Sequence, residues 1–277
     1  MMLAVVALST LGIDAFDNRH DLSGSLLATA LPVDTGRSLC PEGMSYVQHP
    51  DGSFCIDTHT ASAGERCPYR DPGQQNETRE NLSSGECEAV SRGGRVPWRH
   101  ISQSQAEAAC RASGKYLPSN REWYAAAQGT PDVEADYAGP EDCNIDGNWP
   151  NGGGYGPTAT GENCVSSIGA FDTVGNTWEW VDGTVTDGEF QGVELPESGY
   201  ITSVDSNGVP RTTDSDEPDP NYNGDELWRS KESAAGVMRG GFYGSGSSAG
   251  VYAFHATMEP SFAGRAIGFR CASEPLR

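Results

Sequence analysis

Hydrophobic residues along this chain form short runs separated by polar, glycine-rich stretches, a pattern typical of short strands and turns. Two such runs flank Asp51-Gly52 within residues 40–57, which predicts a β-hairpin. Asn207-Gly208 predicts a second hairpin for the same reason. Trp178 and Trp180 stand at alternate positions, so a strand there places both indole rings on one face.

Two short helices are predicted in the middle of the chain. The first begins at the capping box Ser104-Gln105-Ala106-Glu107 and ends at Gly114. The second begins at the capping box Ser119-Asn120-Arg121-Glu122 and ends at Gly129. Each helix has only two or three turns, so helices contribute a small part of the predicted fold.

Long polar stretches separate these elements. Residues 60–97 and 130–170 are rich in glycine and polar residues and are predicted to be loops. Residues 182–235 carry an acidic run and are interpreted as an insertion. The pattern as a whole predicts an α+β fold, with two short helices around small irregular antiparallel sheets and many loops.

The N-terminal residues 1–30 are expected to form a helical segment separate from the rest. Their apolar run is about thirteen residues long, shorter than the ~20 residues of a membrane-spanning helix, and it lacks a positively charged n-region. Two interpretations stay open: the trimmed end of a membrane anchor, or a helix packed on the domain. We therefore expect an N-terminal segment at 1–37 and one domain at 38–277 that contains the insertion.

The charge balance excludes several classes of partner. Asp and Glu number 39 against 18 Lys and Arg, which gives a formal net charge of −21. Such a surface repels nucleic-acid phosphates and anionic membranes. We expect no nucleic-acid partner, and membrane contact only through an N-terminal anchor.

Eight cysteines, none of them in a C-x-x-C pair, favour a disulfide framework over a zinc site. About a hundred connectivities exist for eight cysteines. We expect neighbours to pair, with one long-range bridge: Cys40–Cys55, Cys67–Cys87, Cys143–Cys164 and Cys110–Cys271. Buried free thiols in a cytoplasmic protein are the alternative. The disulfide interpretation predicts an extracellular or cell-surface protein.

Four stretches, in this order, resemble one family: CPEGM…FCID (40–57), ISQSQAEAACRASGKYLPSNREWYAAAQG (101–129), GAFDTVGNTWEWVDG (169–183) and MRGGFY…IGFRCA (238–272). Together they are similar to the formylglycine-generating-enzyme branch of the C-type lectin-like fold. The resemblance covers about residues 38–273, and the insertion is unmatched. It implies a C-type lectin-like domain, a fold that carries both enzymes and binding proteins.

The catalytic residues that this resemblance implies are missing from the sequence. Formylglycine generation uses two cysteines just after an R-G-G motif to hold copper, because thiolates select Cu(I). The matching stretch, 242–248, contains no cysteine, and only Cys271 lies downstream of Cys164. Related sulfoxide synthases use clustered histidines to hold iron, whereas the five histidines here are scattered singly.

The C-terminal stretch resembles the variable region of proteins that retroelements diversify, in which a fixed frame separates free positions. The frame comprises Arg239-Gly240-Gly241, residues 249–253, Pro260-Ser261 and residues 267–271. Adenine-directed mutation of AAC codons yields most residues between them, but not Met258 or Glu259. Aromatic residues mixed with glycine and serine also resemble antibody paratopes. The free positions are Phe242, Tyr243, Gly244, Ser245, Ser247, Ser248, His255, Thr257, Met258, Phe262, Gly264, Arg265 and Ala266.

The resemblance also implies a structural calcium site. The matching ligands are the side chains of Asp172 and Glu179 with the carbonyls of Gly175 and Thr177, and hard oxygen ligands suit Ca²⁺. A second set includes Asn144 and the Ile145 carbonyl. The alternative is that the two carboxylates cap or hydrogen-bond loop backbone.

Three hypotheses for function follow. The first is a non-catalytic, surface-displayed protein that needs no cofactor and binds a protein or cell-surface ligand through residues 242–266. The second is an oxidoreductase similar to formylglycine-generating enzyme that uses unrecognised catalytic residues. The third is a structural envelope domain that assembles through residues 1–30. The missing catalytic cysteines favour the first hypothesis.

Overall fold

The structure, a computed structural model, describes residues 39–132, 134–150, 152–230 and 234–277. The predicted N-terminal segment 1–37 lies outside the described residues. Residues 39–277 form one compact unit. No helix in the described ranges is long and apolar enough to cross a membrane.

Short strands dominate the described part of the chain, with β5 the longest at 9 residues. The helices are α1 (Gln75–Ser83), α2 (Gln103–Ala112) and α3 (Asn120–Ala127). The strands are β1 (Met44–Val47), β2 (Phe54–Asp57), β3 (Ser62–Ala63), β4 (Ala89–Val90), β5 (Trp178–Thr186), β6 (Glu189–Phe190), β7 (Val193–Glu194), β8 (Gly199–Val204), β9 (Pro210–Asp214), β10 (Glu226–Arg229), β11 (Ala235–Arg239), β12 (Phe254–Ala256), β13 (Ile267–Phe269) and β14 (Ala272–Ser273).

The strands form sheets of very different size. A 9-stranded sheet has the order β7-β6-β5-β11-β12-β10-β8-β9, with β13 paired to β5. The others are β1-β2-β14 and β3-β4. The mixed, loop-rich architecture matches the predicted fold class, but the large sheet differs from the small antiparallel sheets expected. Two of its pairings, β10 with β12 and β13 with β5, are parallel.

The insertion explains the size of the large sheet. Strands β6 to β10 lie inside residues 182–235 and pair with β5, β12 and each other. The hairpin expected at Asn207-Gly208 is formed by β8 and β9, and the one at Asp51-Gly52 by β1 and β2. The insertion is therefore part of the same folded unit, not an appendage to it.

The capping boxes fix the starts of the two predicted helices. Ser119 caps α3 as expected, and its side chain exchanges hydrogen bonds with Glu122. Helix α2, however, is capped by Ser102 and Gln105, so the expected start at Ser104 is wrong by two residues. Both serines can accept the N–H of a residue three positions ahead, and the sequence does not distinguish them.

Helix α1 lies in the stretch that was expected to be a loop. Its side chains are almost all polar, and only Thr78 and Asn81 are buried. The Asn81 amide holds the helix by hydrogen bonds to both backbone groups of Tyr69, at 2.8 Å each. Such a helix gives no hydrophobic periodicity, which is why the pattern missed it.

The core lies on both faces of β5 and β11. Val181 and Val237 contribute to one hydrophobic cluster, whereas Trp180 and Met238 contribute to another on the opposite side. Each such buried side chain contributes roughly 1.5–3 kcal/mol to the stability of the fold. Glu179, which faces away from the tryptophans, is therefore buried as well.

All eight cysteines form disulfides in the structure. The pairs are those expected from the sequence: Cys40–Cys55, Cys67–Cys87, Cys110–Cys271 and Cys143–Cys164. The long-range bridge ties α2 to the residue just before β14.

Candidate ligand-binding face

The predicted free positions begin where the chain leaves β11. Gly240 and Gly241 both have positive φ, at 90° and 85°. A Cβ on Gly240 would overlap the Thr173 carbonyl, and one on Gly241 would overlap Ala249. Only glycine fits this turn, which directs the following residues out of the sheet.

Arg239 fixes the backbone of the segment that follows. This side chain is fully buried and donates to the carbonyls of Ala253 and Val251, both at 2.9 Å. It also donates to the Asn120 side chain of α3 and to the Gly208 carbonyl in the insertion hairpin. Burial lowers the pKa of Arg239 to about 10, so the guanidinium stays charged at neutral pH.

The first group of side chains on the predicted face surrounds Tyr243. The Arg265 Nε donates to the Tyr243 hydroxyl at 2.9 Å, and the Phe242 ring lies 5.1 Å from the Tyr243 ring. The ring of Tyr155 lies 6.4 Å from that of Tyr243. The guanidinium of Arg99 stacks on the Tyr155 ring, 3.4 Å from its centroid. Stacked guanidinium and aromatic groups form a rigid surface with little conformational entropy to lose on binding.

The second group surrounds His255 on β12. Its ring lies 5.3 Å from Trp178 and 5.8 Å from Trp228, and the two tryptophans contact each other edge to face. Thr257 Oγ1 lies 3.3 Å from the His255 Nε2. Desolvation lowers the pKa of His255 to about 4, so the ring is neutral at pH 7. Phe242, Trp228 and Met258 all pack against the hydrophobic cluster that contains Trp178.

The remaining predicted positions lie around these two groups. Phe262 is 42 % exposed, whereas Tyr243 is 8 % exposed and is the most buried aromatic of the predicted set. The Ser247 hydroxyl accepts from the Ala135 N–H, and the Ser248 hydroxyl donates to Glu226. The positions that retain full or partial exposure are Phe242, Gly244, Ser245, Ser247, Ser248, His255, Thr257, Met258, Phe262, Gly264, Arg265 and Ala266.

Three residues on this face were missed by the sequence analysis. Trp228 belongs to the insertion, which matched no motif, and reaches the face only because β10 pairs with β12. Tyr155 comes from a stretch predicted to be a loop, whereas Arg99, a buried residue that stacks on it, follows the predicted loop 60–97. Nothing in the local pattern of these residues indicates their position, because long-range pairing creates it.

The expected calcium ligands fall into two different environments. The Asp172 side chain is buried; its Oδ2 accepts from the Ala159 N–H at 2.8 Å, and its Oδ1 has no partner among the described residues. Burial raises the pKa of Asp172 to about 7. The Thr177 hydroxyl is also buried and unpartnered within the described ranges. The Ile145 carbonyl, from the second expected set, accepts from the Gly246 N–H at 2.8 Å.

The Glu179 carboxylate lies in a network of buried hydrogen bonds. It pairs with Arg270 through two hydrogen bonds, at 2.6 and 2.9 Å, and both residues are buried. The Trp123 Nε1 and the Thr60 hydroxyl also donate to it, at 2.7 and 2.9 Å. These donors occupy both carboxylate oxygens, so Glu179 joins α3, β5 and the C-terminal strands. The calcium set of Asp172, Gly175, Thr177 and Glu179 stays a prediction.

The copper chemistry implied by the resemblance does not fit these residues. Every cysteine is in a disulfide, so no thiolate pair is available as the protein stands. Nor do three or more His, Cys, Asp or Glu side chains converge within the described ranges as a metal-binding group. His59 stacks on Phe171, whereas His255 contacts Trp178 and Trp228.

A family model described as the sulfatase-modifying factor enzyme 1-like domain matches residues 53–275. Comparison with curated protein sequences gives no significant match.

Several solved structures are similar to this chain at low identity. The Major Tropism Determinant P3c variant is 16% identical with a TM-score of 0.45, and the match covers 86% of this chain and 54% of that chain. This chain thus spans about half the length of that protein. Treponema denticola variable protein 1 is 15% identical with a TM-score of 0.44, over 85% and 100% of the chains. PvdO from Pseudomonas aeruginosa is 15% identical with a TM-score of 0.46, over 83% and 90%.

Proposed function

The chain belongs to the sulfatase-modifying factor enzyme 1-like domain family, and we propose that within this family it is a non-catalytic binding protein. Its family confirms the resemblance to the formylglycine-generating-enzyme branch. The proposed ligand is a protein or another cell-surface molecule that contacts residues 242–266. The proposed site of action is extracellular or on the cell surface, where disulfides persist.

One observation carries this proposal: a buried framework fixes the backbone of the segment, while most of its side chains stay accessible. The buried Arg239 side chain fixes the backbone by donating hydrogen bonds to the carbonyls of Val251 and Ala253. The side chains of Phe262 and Arg265, by contrast, are exposed. A surface of this kind tolerates replacement of its side chains without loss of the fold, as a diversified binding face requires.

The residue chemistry supports a binding role over the catalytic alternative. Formylglycine generation needs two reactive thiols, and all cysteines here are paired. An oxidoreductase that uses other residues is tested by oxygen consumption with thiol peptides, with and without copper. We expect no consumption above the copper-only background; peptide-dependent consumption would favour the enzyme.

Sequencing the gene from many cells of one population tests diversification directly. We expect substitutions confined to codons 242–266 and located at adenine positions. The frame codons, including those for Arg239 and residues 267–271, should be invariant in the same sample. Identical codons at the predicted free positions across the population would contradict retroelement diversification and leave a fixed lectin-like binding domain.

A matched pair of substitutions tests whether the face is separable from the fold. Phe262→Ser removes a 42 % exposed ring, and we expect a loss of less than about 1 kcal/mol in unfolding free energy. Phe254→Ser removes a fully buried ring a few residues away, and we expect a loss of at least ~3 kcal/mol. Urea denaturation measures both; equal losses would mean that Phe262 is part of the core.

A further inference from the structure

A cavity of about 430 Å³ opens where the insertion meets the predicted face. Asp132 lines it from the segment after α3, Tyr200 and Asn223 line it from the insertion, and Ser247 and Ser248 line it from the predicted face. None of the residues in the expected calcium sets lines this cavity. It is therefore a separate place in the fold.

A fully buried carboxylate, Asp225, lies directly before β10 and beside this cavity. Asn223, in a left-handed conformation, ends the short 3-10 turn that precedes Asp225. Its Oδ2 accepts from the Tyr252 N–H at 2.7 Å. Its Oδ1 is buried and makes no hydrogen bond of good geometry among the described residues, although the Ala253 N–H lies close enough to the carboxylate to lower its pKa. A buried carboxylate oxygen without a partner is costly, so its position requires an explanation.

The second carboxylate, Asp132, converges on the same point. A Cβ built on Gly250 would overlap oxygens of both Asp132 and Asp225, which places the two carboxylates together against one glycine. The Asn223 amide donates to the Asp132 Oδ2 at 3.1 Å. The insertion therefore supplies one carboxylate and an amide, and the segment after α3 supplies the other carboxylate.

Two carboxylates in contact, Asp225 fully buried and Asp132 partly exposed, repel each other unless a proton or a cation lies between them. Burial is the main cause that raises the pKa of both groups, to about 7 for Asp132, and the charge of Asp132 raises the pKa of Asp225 further. The Asn223 amide lowers the pKa of Asp132 only in part. The positive charge of Arg239 lowers the pKa of Asp225 in part. Arg239 donates its hydrogen bonds, however, to backbone carbonyls and to Asn120.

We propose that Asp132 and Asp225 bind a divalent cation, Ca²⁺, between them at the inner end of this cavity. The atoms that would coordinate the ion are carboxylate oxygens, which Ca²⁺ prefers as ligands. Asp225 Oδ1, which makes no hydrogen bond of good geometry, is free to coordinate it. Because no third metal-binding carboxylate, cysteine or histidine joins them in the described residues, water and neutral oxygens from the cavity complete the shell.

A cation at this position would connect the insertion to the predicted face. Asp225 accepts from the Tyr252 N–H, and both carboxylates lie against Gly250, so the ion sits beneath the loop that carries Ser247 and Ser248. Calcium would therefore stabilise the backbone that presents the face. This inference rests on the two carboxylates alone and does not require that the face be diversified.

Thermal unfolding of the full chain tests the site after dialysis against a chelator. We expect 10 mM CaCl₂ to raise the Tm by at least about 3 °C, and MgCl₂ at the same ionic strength to raise it less. Calorimetric titration with CaCl₂ at 25 °C should show the same ion binding without heating. Asp132→Asn, at a partly exposed position, should remove most of both effects, as should Asp132→Ala.

Two control variants separate this site from the alternatives. Asp172→Asn alters the other expected calcium set, and Asp216→Asn removes an exposed charge of the insertion; both should keep the Asp132-dependent response to calcium. The proposal is overturned if calcium has no effect on the wild-type protein beyond that of magnesium, or if the folded Asp132 variants respond as the wild type does. Loss of the response in Asp172→Asn alone would likewise overturn it.

Discussion

His255 shows how a single side chain on the predicted face depends on its surroundings. Its ring contacts those of Trp178 and Trp228, and its Nδ1 is buried without a partner in the described part of the chain. Desolvation by these rings is the main cause that lowers its pKa to about 4. The unfolded chain, where histidine titrates near 6.5, therefore takes up the proton first as pH falls.

The sign of the pH effect follows from this order. Because the folded pKa lies below the unfolded one, His255 favours unfolding as pH falls from about 6.5 towards 4. When the pH falls from 7.5 to 4.5, the unfolding free energy of the wild type should decrease by about 2 kcal/mol more than that of His255→Gln. Urea denaturation at the two pH values measures the difference. His49→Gln serves as the control on another part of the surface, and identical pH profiles for wild type and His255→Gln would contradict the expectation.

At the scale of elements, the loop after β11 is ordered by one buried guanidinium. Arg239 contacts α3 through Asn120, the insertion hairpin through Gly208, and the loop itself through Val251 and Ala253. Its guanidinium also lies 5.1 Å from the centroids of the Trp123 and Phe254 rings. A planar fork with five donors suits these acceptors, whereas an ammonium group cannot reach them together.

Arg239→Lys should therefore destabilise the protein although it preserves the charge. Several buried carbonyls would lose their donors, and we expect a cost of about 3 kcal/mol or more. Arg211→Lys, at an exposed position of β9, is the matched control and should change stability by less than ~0.5 kcal/mol. Thermal and urea unfolding measure both variants. A similar small effect at the two positions would mean that Arg239 does not hold the loop.

Elements with local signals were predictable from the sequence, and elements created by distant contacts were not. Asp51-Gly52, Asn207-Gly208 and the capping box at Ser119 act within a few residues, so their structures follow from the pattern. Helix α1 has no apolar stripe that a pattern could detect. It is held in place by hydrogen bonds between the Asn81 side chain and the backbone of Tyr69. The residues of the candidate site likewise include some that the sequence pattern predicts and others that only the fold brings together.

The C-terminal motif indicates which segment carries the predicted face, since its residues are consecutive. Trp228 joins it only through the parallel pairing of β10 with β12. The Asp132–Asp225 pair unites residues far apart in sequence at Gly250, and no local pattern marks either carboxylate. Long-range contacts of this kind require the fold before they can be recognised.

At the scale of the whole molecule, covalent links compensate for a shortage of regular structure. The two ends of the compact unit meet where the Leu276 N–H donates to the Leu39 carbonyl at 2.7 Å, close to the pairing of β14 with β2. The Cys110–Cys271 disulfide closes the longest loop, with a sequence separation of 161. A net charge of −21 opposes compaction, so constraints on the unfolded chain matter more here.

Loop length predicts which disulfide contributes most. The chain-entropy relation gives about 5 kcal/mol for the Cys110–Cys271 loop and about 3 kcal/mol for the Cys143–Cys164 loop, whose separation is 21. All four of these cysteines are buried, so replacing either pair with alanine removes similar side-chain contacts. The Cys110→Ala/Cys271→Ala variant should therefore be about 2 kcal/mol less stable than Cys143→Ala/Cys164→Ala in urea denaturation at pH 7. Equal stability, or the opposite order, would show that native-state contacts around each bridge outweigh the entropy of the unfolded chain.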